Sequence, residues 1–238
     1  EIKKHFNSYL KYGGMPEYII NKEPQLIHNY FRDIIERDIV IRYGIRHKKN
    51  LFELVNFLNT NTSKINSLDS IKTLLGHKNS TTIKNHIHYL ESTYLFYAVS
   101  KFDTSYKKQI YNPDKIYVAD IAFYNLLAFK MEANLGVVYE NIVFNHLKLW
   151  GKEVFYYKTK SGYEVDFLVN RDILIQVSYD ISNPLTLERE KRSLIEAMQE
   201  TKIKNAYIVN LDREDEEETC EGFIHYIPLW KMLLSNKL

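Results

Sequence analysis

The sequence contains a single cysteine, Cys220, among its 238 residues. An intrachain disulfide is therefore excluded, and this cysteine usage fits a reducing cytosol, so we expect a cytoplasmic protein. No uninterrupted apolar run approaches the roughly 20 residues that a membrane-spanning helix needs. We therefore expect neither a signal peptide nor a membrane partner. Because the first residue is Glu1 rather than Met, we also expect the chain to be a piece of a longer protein.

Strong charge of one sign is also missing. With 32 Lys and Arg against 30 Asp and Glu, the net charge is +2, which gives no global basic field of the kind that nucleic-acid-binding proteins often carry. Any basic surface must therefore be local. The phosphate-binding motif G-x-x-x-x-G-K-[ST] is absent from the sequence as well. We accordingly expect no nucleotide cofactor and no ATP hydrolysis in this chain.

The first half of the sequence predicts amphipathic helices followed by two strands. Apolar residues recur at spacings of three and four over residues 25–43, which predicts a long helix. Three shorter helices are predicted at 51–58, 67–75 and 81–92, the last two capped by Ser67 and Ser80. Strand-like runs follow at 94–99 and 115–118. Three helices followed by a hairpin is the order of a winged helix-turn-helix, which we predict, together with a helical linker, over residues 1–130.

The second half of the sequence predicts a mixed sheet flanked by helices. Helices are expected at 132–150 and 185–200, and strands at 154–157, 163–169, 173–177, 206–211 and 222–227. This order predicts one domain over residues 131–238 and an α/β fold class, α+β overall. We expect Pro184 to begin a polar turn and the acidic run at 212–218 to be a solvated loop.

Acidic and amide side chains recur in this second domain at positions suited to a metal site. Glu140 is predicted on the helix, Glu164 and Asp166 on one strand and Gln176 on the next. Because side chains alternate along a strand, Glu164 and Asp166 share a face. Carboxylate oxygens suit Mg²⁺, which polarises a phosphate and lowers the pKa of an attacking water.

This set of residues resembles the active site of restriction-endonuclease-like nucleases. The resemblance implies catalytic roles for Glu140, Asp166 and Gln176, and Mg²⁺ or Mn²⁺ bound by Asp166, Glu140 and Glu164. The usual motif ends in an acid, any residue and a lysine, whereas this chain has Gln176 and Ser178 there. Gln176 brings no charge, and Ser178 cannot stabilise developing negative charge as a lysine does. The sequence therefore predicts this fold with a damaged catalytic motif.

The predicted third helix of the winged helix carries short polar and basic side chains. Such groups at the N-terminus of a recognition helix can contact phosphates and base edges, and the predicted wing adds lysines. The candidate nucleic-acid-binding residues are Lys78, Ser80, Thr82, Lys84, Asn85, Lys107 and Lys108. A protein-interaction winged helix with solvated lysines would give the same pattern.

Several short motifs occur in a fixed order along the chain. They are GGMPE at 13–17, YFRDIIERD at 30–38, YVAD at 117–120, YEN at 139–141 and GYEVDF at 162–167. In this order they resemble the C-terminal portion of a large prokaryotic family of AAA-type ATPases, in which an ATPase module precedes a winged helix and a nuclease-like domain. The resemblance implies a DNA-binding, nuclease-like accessory region with weak or absent catalysis. Its partners would be duplex or branched DNA and the ATPase module.

Two alternatives stay open. The first is an active Mg²⁺-dependent DNA nuclease, which would need a lysine such as Lys158 or Lys160 to reach Asp166. The second is a protein-interaction or regulatory region without a nucleic-acid role, which predicts no salt-sensitive affinity for DNA.

Overall fold

The computed structural model describes residues 1–76, 79–129 and 134–235, and its helices and two sheets confirm the predicted α+β class. The chain divides into two units. Unit 1 comprises the described parts of Glu1–Val99 and Asn112–Asn134, and unit 2 those of Ser100–Tyr111 and Leu135–Leu238. The segment 100–111 therefore leaves unit 1 between two of its strands and belongs to unit 2.

Unit 1 is mainly helical and contains a small antiparallel sheet. In chain order its elements are α1 (Ile2–Tyr12), α2 (Pro16–Asn21), α3 (Pro24–Asp33), which continues as a π-helix over Ile34–Ile41, α4 (Lys48–Thr60), β1 (Ile65–Asn66), α5 (Leu68–Leu74), α6 (Ser80–Ser92), β2 (Phe96–Val99), β3 (Asp114–Val118) and α8 (Ile121–Leu127). Helix α7 (Tyr106–Tyr111) lies between β2 and β3 in the sequence and belongs to unit 2. Strand β1 lies between α4 and α5, and β2 and β3 follow α6. These three helices and the sheet order β1-β3-β2 have the arrangement of a winged helix-turn-helix, as predicted.

The caps of α5 and α6 explain where these two helices begin. The Ser67 hydroxyl accepts a hydrogen bond from the Ser70 backbone N–H at 3.0 Å, so the predicted cap is confirmed. For α6 the prediction was wrong by one residue, because the Asn79 side chain accepts from the Thr81 N–H at 2.8 Å and Ser80 is the first helical residue.

Two of the sequence motifs meet inside unit 1. Gly13 and Gly14 connect α1 to α2 and lie against Asp120, which caps α8. One Asp120 carboxylate oxygen accepts from the Gly14 N–H and the other from the Ala122 N–H, each at 2.8 Å. Gly13 has φ +72°, and a Cβ there would lie 1.9 Å from the Asp120 carboxylate. Glycine is therefore required by both the backbone and the contact.

Unit 2 contains a six-stranded mixed sheet in the order β4-β5-β6-β7-β9-β8. Its remaining elements are α9 (Leu135–Leu149), β4 (Val154–Lys158), β5 (Glu164–Val169), β6 (Ile173–Val177), α10 (Pro184–Thr201), β7 (Asn205–Asn210), β8 (Asp215–Glu218), β9 (Phe223–Pro228) and α11 (Leu229–Leu234). Strands β4, β5 and β6 are antiparallel neighbours, and β6, β7 and β9 run parallel. The predicted element order is confirmed, with β8 and α11 added. Within the described ranges, no helix combines the length and apolar character that a membrane span requires.

Two local predictions for unit 2 were wrong. Pro184 begins α10 instead of a turn, because Asn183 caps the helix through the Leu185 N–H at 2.9 Å and proline is well tolerated at the first helical position. Part of the acidic run forms the edge strand β8. Glu217 stabilises it there, because its carboxylate accepts hydrogen bonds from the Lys191 ammonium and, at 2.8 Å, from the Tyr226 hydroxyl.

We call residues 100–111 the strap. Its first residues add to the open edge of β4: the Phe102 N–H donates to the Tyr156 carbonyl at 2.8 Å, and the Tyr156 N–H donates to the Ser100 carbonyl at 3.2 Å. The Phe102 ring packs edge-on against Phe155 at 5.6 Å between ring centroids. The predicted wing between β2 and β3 is thus an excursion that ends in α7, which belongs to unit 2.

Candidate functional site

Asp166 and Gln176 lie side by side in the centre of the unit 2 sheet. The register pairs Phe167 with Ile175, which sets the two polar residues on adjacent strands at the same level. The Gln176 side-chain oxygen accepts from the Asp166 backbone N–H at 3.3 Å, and the Asp166 carboxylate accepts from the Val177 N–H at 2.9 Å. Asp166 is 7% exposed and Gln176 8%. The Gln176 side-chain oxygen and one Asp166 carboxylate oxygen are therefore each bonded to a backbone N–H of the sheet.

Helix α10 adds a carboxylate and a guanidinium that the sequence analysis did not assign to the site. The Gln176 side-chain amide donates to the Glu190 carboxylate at 2.8 Å. Arg189 donates to the other Glu190 oxygen from Nη2 at 2.6 Å and from Nε at 3.2 Å. One signal could have revealed Glu190: it shares helical spacing with the buried Leu194 and Ala197, so this acid falls on the inward face of α10.

The Arg189–Glu190 pair is unequal in its surroundings. The Glu190 side chain is 7% exposed and that of Arg189 69%. Burial raises the pKa of the Glu190 carboxyl, and the opposing effect of the Arg189 guanidinium does not overcome it. The hydrogen bond from Arg189 to Glu190 raises the pKa of the guanidinium. The arginine charge is thus well stabilised, whereas burial, the largest effect on Glu190, disfavours its carboxylate form.

The raised pKa of Glu190 predicts a specific pH dependence of stability. Its unfolded-state pKa is about 4.3, so its contribution to stability is fully present below that pH and is lost as pH rises through the higher folded-state pKa. In Glu190→Gln this loss disappears. Relative to wild type, the variant's free energy of unfolding should therefore increase with pH, as measured by urea unfolding at a series of pH values. Glu188→Gln, an exposed neighbour on α10, is the control and should show no such trend.

The other two candidate ligands, Glu140 on α9 and Glu164 at the start of β5, are half-buried. Across residues 1–76, 79–129 and 134–235, the structure places no group of three or more His, Cys, Asp or Glu side chains to hold a metal ion. The Asp166, Gln176 and Glu190 oxygens accept N–H groups, and a guanidinium adjoins Glu190. Gln176 is neutral and the Arg189 guanidinium offsets the charge of Glu190, so this network offers a divalent cation less negative charge than three free carboxylates would.

The candidate nucleic-acid-binding residues fall in two places. On α6 of unit 1, Thr82, Lys84 and Asn85 are exposed and Ser80 is half-buried. Lys78 lies outside the described residues. Lys107 and Lys108 are exposed on α7, which belongs to unit 2. The recognition-helix set and the lysines that the sequence placed in a wing therefore belong to different units.

The two units define an α+β protein with a winged helix-turn-helix domain and a second domain built on a six-stranded mixed sheet. The chain belongs to the family described as Domain of unknown function (DUF8612), whose model matches residues 3–134. A second model, Domain of unknown function (DUF4143), matches residues 135–232.

Two relatives from an archaeon and a bacterium are similar to this chain, and both are uncharacterized proteins. The Methanocaldococcus jannaschii protein is 31% identical over 255 residues, which cover 99% of this chain and 56% of that protein. The Haemophilus influenzae protein is 28% identical over 190 residues, which cover 76% of this chain and 47% of that protein. The chain thus spans about half the length of these curated relatives.

Proposed function

We propose that this chain is a DNA-binding, nuclease-like accessory region of a prokaryotic AAA-type ATPase, and that its nuclease-like site is catalytically inactive. The observation that carries the inactive-site part is the hydrogen-bond network that joins Asp166, Gln176, Glu190 and Arg189. Domains of the DUF4143 type are typically found in AAA-ATPase-associated proteins, which supports the link to an ATPase.

The network supports a structural role for these polar residues. Phosphodiester hydrolysis on such a fold needs a metal that activates water and a cation that stabilises developing charge. Here the Gln176 amide instead connects the β5 backbone to Glu190 on α10. With all three acid and amide side chains below 9% exposure, a phosphodiester has little surface to approach. A satisfied buried network of this kind holds the helix to the sheet.

The exposed face of α6 supports the DNA-binding part of the proposal. Its buried face, with Ile83 and Leu90, fixes the helix to unit 1, and Tyr89 stacks on Tyr43 at 3.8 Å between ring centroids. The opposite face presents Lys84 and Asn85 with short hydroxyl side chains near the helix start. A winged helix uses this face to contact phosphates and base edges.

Fluorescence anisotropy with labelled duplex and branched DNA, over a salt series without divalent metal, tests DNA binding. We expect affinity to fall steeply with salt, and Lys84→Ala to lower the slope of log K against log salt by about 0.9 for one lost phosphate contact on duplex DNA. Lys3→Ala removes the same charge from the exposed face of α1 and should leave the slope unchanged. Absence of binding at low salt would instead favour the protein-interaction alternative.

The inactive-site part of the proposal needs a separate assay. We expect no cleavage of plasmid or branched DNA with Mg²⁺ or Mn²⁺. Metal-dependent cutting that disappears in Asp166→Ala would establish the active-nuclease alternative. Cutting that persists in Asp166→Ala would point to a contaminant and leave the site assignment as proposed.

A further inference from the structure

Helix α7 of the strap presents two tyrosines and two lysines to solvent within six residues. Tyr106 is 77% exposed and Tyr111 79%, and Lys107 and Lys108 are exposed between them. Within the described part of the chain, these four side chains have no hydrogen bond or ion pair. Single exposed aromatic residues are common on protein surfaces, but this concentration of rings and positive charge is not explained by folding.

The base of the strap fixes α7 to unit 2. The backbone of Ser100 and Phe102 extends the β4 edge through two hydrogen bonds to Tyr156. The Phe102 ring packs against the core of unit 2, and the Asp103 carboxylate caps the following turn through the Ser105 N–H at 2.8 Å. The exposed side chains therefore project from an anchored segment, so less conformational entropy is lost when they bind a ligand.

Helical spacing divides α7 into two neighbouring faces. Tyr106 lies one turn from Ile110, which is 51% exposed, and Lys107 lies one turn from Tyr111. Beside Tyr106 is an open cavity of about 390 Å³, lined also by Phe102 and Arg171. One tyrosine ring thus adjoins a cavity with an arginine at its edge, and the other adjoins lysines.

We propose that this face of the strap binds unpaired nucleotides, with Tyr106 and Tyr111 stacking on bases and Lys107 and Lys108 contacting phosphates. Nucleic-acid-binding proteins combine stacking rings with positive charge in this way for single strands, since every base offers a π-face once it leaves the duplex. The inference rests on the proposed DNA-binding function and specifies its substrate class. The preferred DNA is single-stranded or branched, and an uninterrupted duplex offers the tyrosines no base to stack on.

The test compares labelled oligo-dT, a forked duplex and a blunt duplex by fluorescence anisotropy on the full chain. We expect the Tyr106→Ala, Tyr111→Ala double variant to bind oligo-dT and the fork about thirtyfold more weakly or worse, since it loses two stacking contacts of about 1–3 kcal/mol per base. Its affinity for blunt duplex should stay within about twofold, because duplex binding is assigned to backbone contacts elsewhere. Phe129→Ala, which removes a ring that is 92% exposed in unit 1, is the matched control.

The role of Lys107 and Lys108 is tested by the salt dependence of single-strand binding. Lys107→Ala with Lys108→Ala should lower the single-strand salt slope by about 0.7 for each lost phosphate contact. Lys3→Ala with Lys4→Ala removes equal charge from α1 and should not change this slope.

The outcomes separate this inference from the function on which it rests. In one outcome, wild type binds duplex, Lys84→Ala weakens that binding, and the strap variants bind every DNA as wild type does. This outcome would overturn the strap proposal and retain the proposal of DNA binding. Equal loss of affinity for blunt duplex and oligo-dT in the tyrosine variant would also overturn it. If wild type binds none of the three DNAs at low salt, both proposals fail. Circular dichroism confirms that each variant is folded.

Discussion

Gly13→Ala is expected to lower the free energy of unfolding of unit 1 by roughly 3–5 kcal/mol, a loss in the range of the most damaging single substitutions. The added Cβ would lie 1.9 Å from the Asp120 carboxylate and 3.0 Å from the Ala122 methyl group, on a backbone with φ +72°. To relieve the clash, Asp120 must move, which breaks the hydrogen bonds that it accepts from the Gly14 and Ala122 N–H groups. Urea unfolding followed by far-UV circular dichroism measures the loss.

A second glycine separates the backbone cost from the steric cost. Gly44 has φ +62° and no atom within 4 Å of an added Cβ. Gly44→Ala should therefore cost only about 1 kcal/mol, the cost of holding an ordinary residue in the left-handed region. Similar losses for the two variants would contradict the assigned contact between Gly13 and Asp120. A double variant with Asp120→Ala should recover part of the Gly13→Ala loss, because the two substitutions share this contact.

Gln176→Glu is expected to destabilise unit 2 by about 3 kcal/mol at neutral pH, because it places an unpaired carboxylate in a buried site. In wild type the Gln176 amide donates to Glu190 at 2.8 Å, whereas a glutamate there would face Glu190 with like charge and lose the donor. Arg189 already bonds Glu190 and cannot neutralise two acids. Trp150 and Trp230 both belong to unit 2, so tryptophan fluorescence during urea unfolding reports on this unit.

The pH dependence distinguishes electrostatic repulsion from a packing defect. Protonation of either carboxyl removes the repulsion, and burial already raises the pKa of Glu190. The destabilisation should therefore shrink as pH falls towards the unfolded carboxyl pKa of about 4.3. Gln199→Glu makes the same substitution on the exposed side of α10 and should be near neutral at every pH. A loss in Gln176→Glu that does not vary with pH would refute the repulsion.

Divalent metal tests the same site in the wild-type protein. We expect millimolar MgCl₂ or MnCl₂ to leave the melting temperature of wild type unchanged, since its acid and amide oxygens accept N–H groups and a guanidinium adjoins them. A metal-dependent rise in wild type would contradict the inactive site and support the nuclease alternative, because a ligand that binds the folded state raises its stability.

Local sequence patterns determined the elements of this protein and much of their order. Helical and strand periodicity fixed the winged helix and the α-β-β-β-α order, and Ser67 was recognisable as a cap from its type and place. The resemblance to restriction-endonuclease-like sites also implied that Asp166 and Gln176 belong to one site, and a hydrogen bond joins them in the structure. These features depend on neighbours a few residues apart, which a single sequence shows directly.

Only the tertiary structure decided which distant segments meet. The Gly14 N–H bonds Asp120, 106 residues away, and Gln176 meets Glu190 only because α10 packs on the sheet. The strap does not form the predicted wing, because Phe102 packs against the core of unit 2. Glu217 lies in an edge strand, where it accepts hydrogen bonds from Lys191 and Tyr226. Burial and long-range hydrogen bonds set these contacts, and neither has a period that local sequence can reveal.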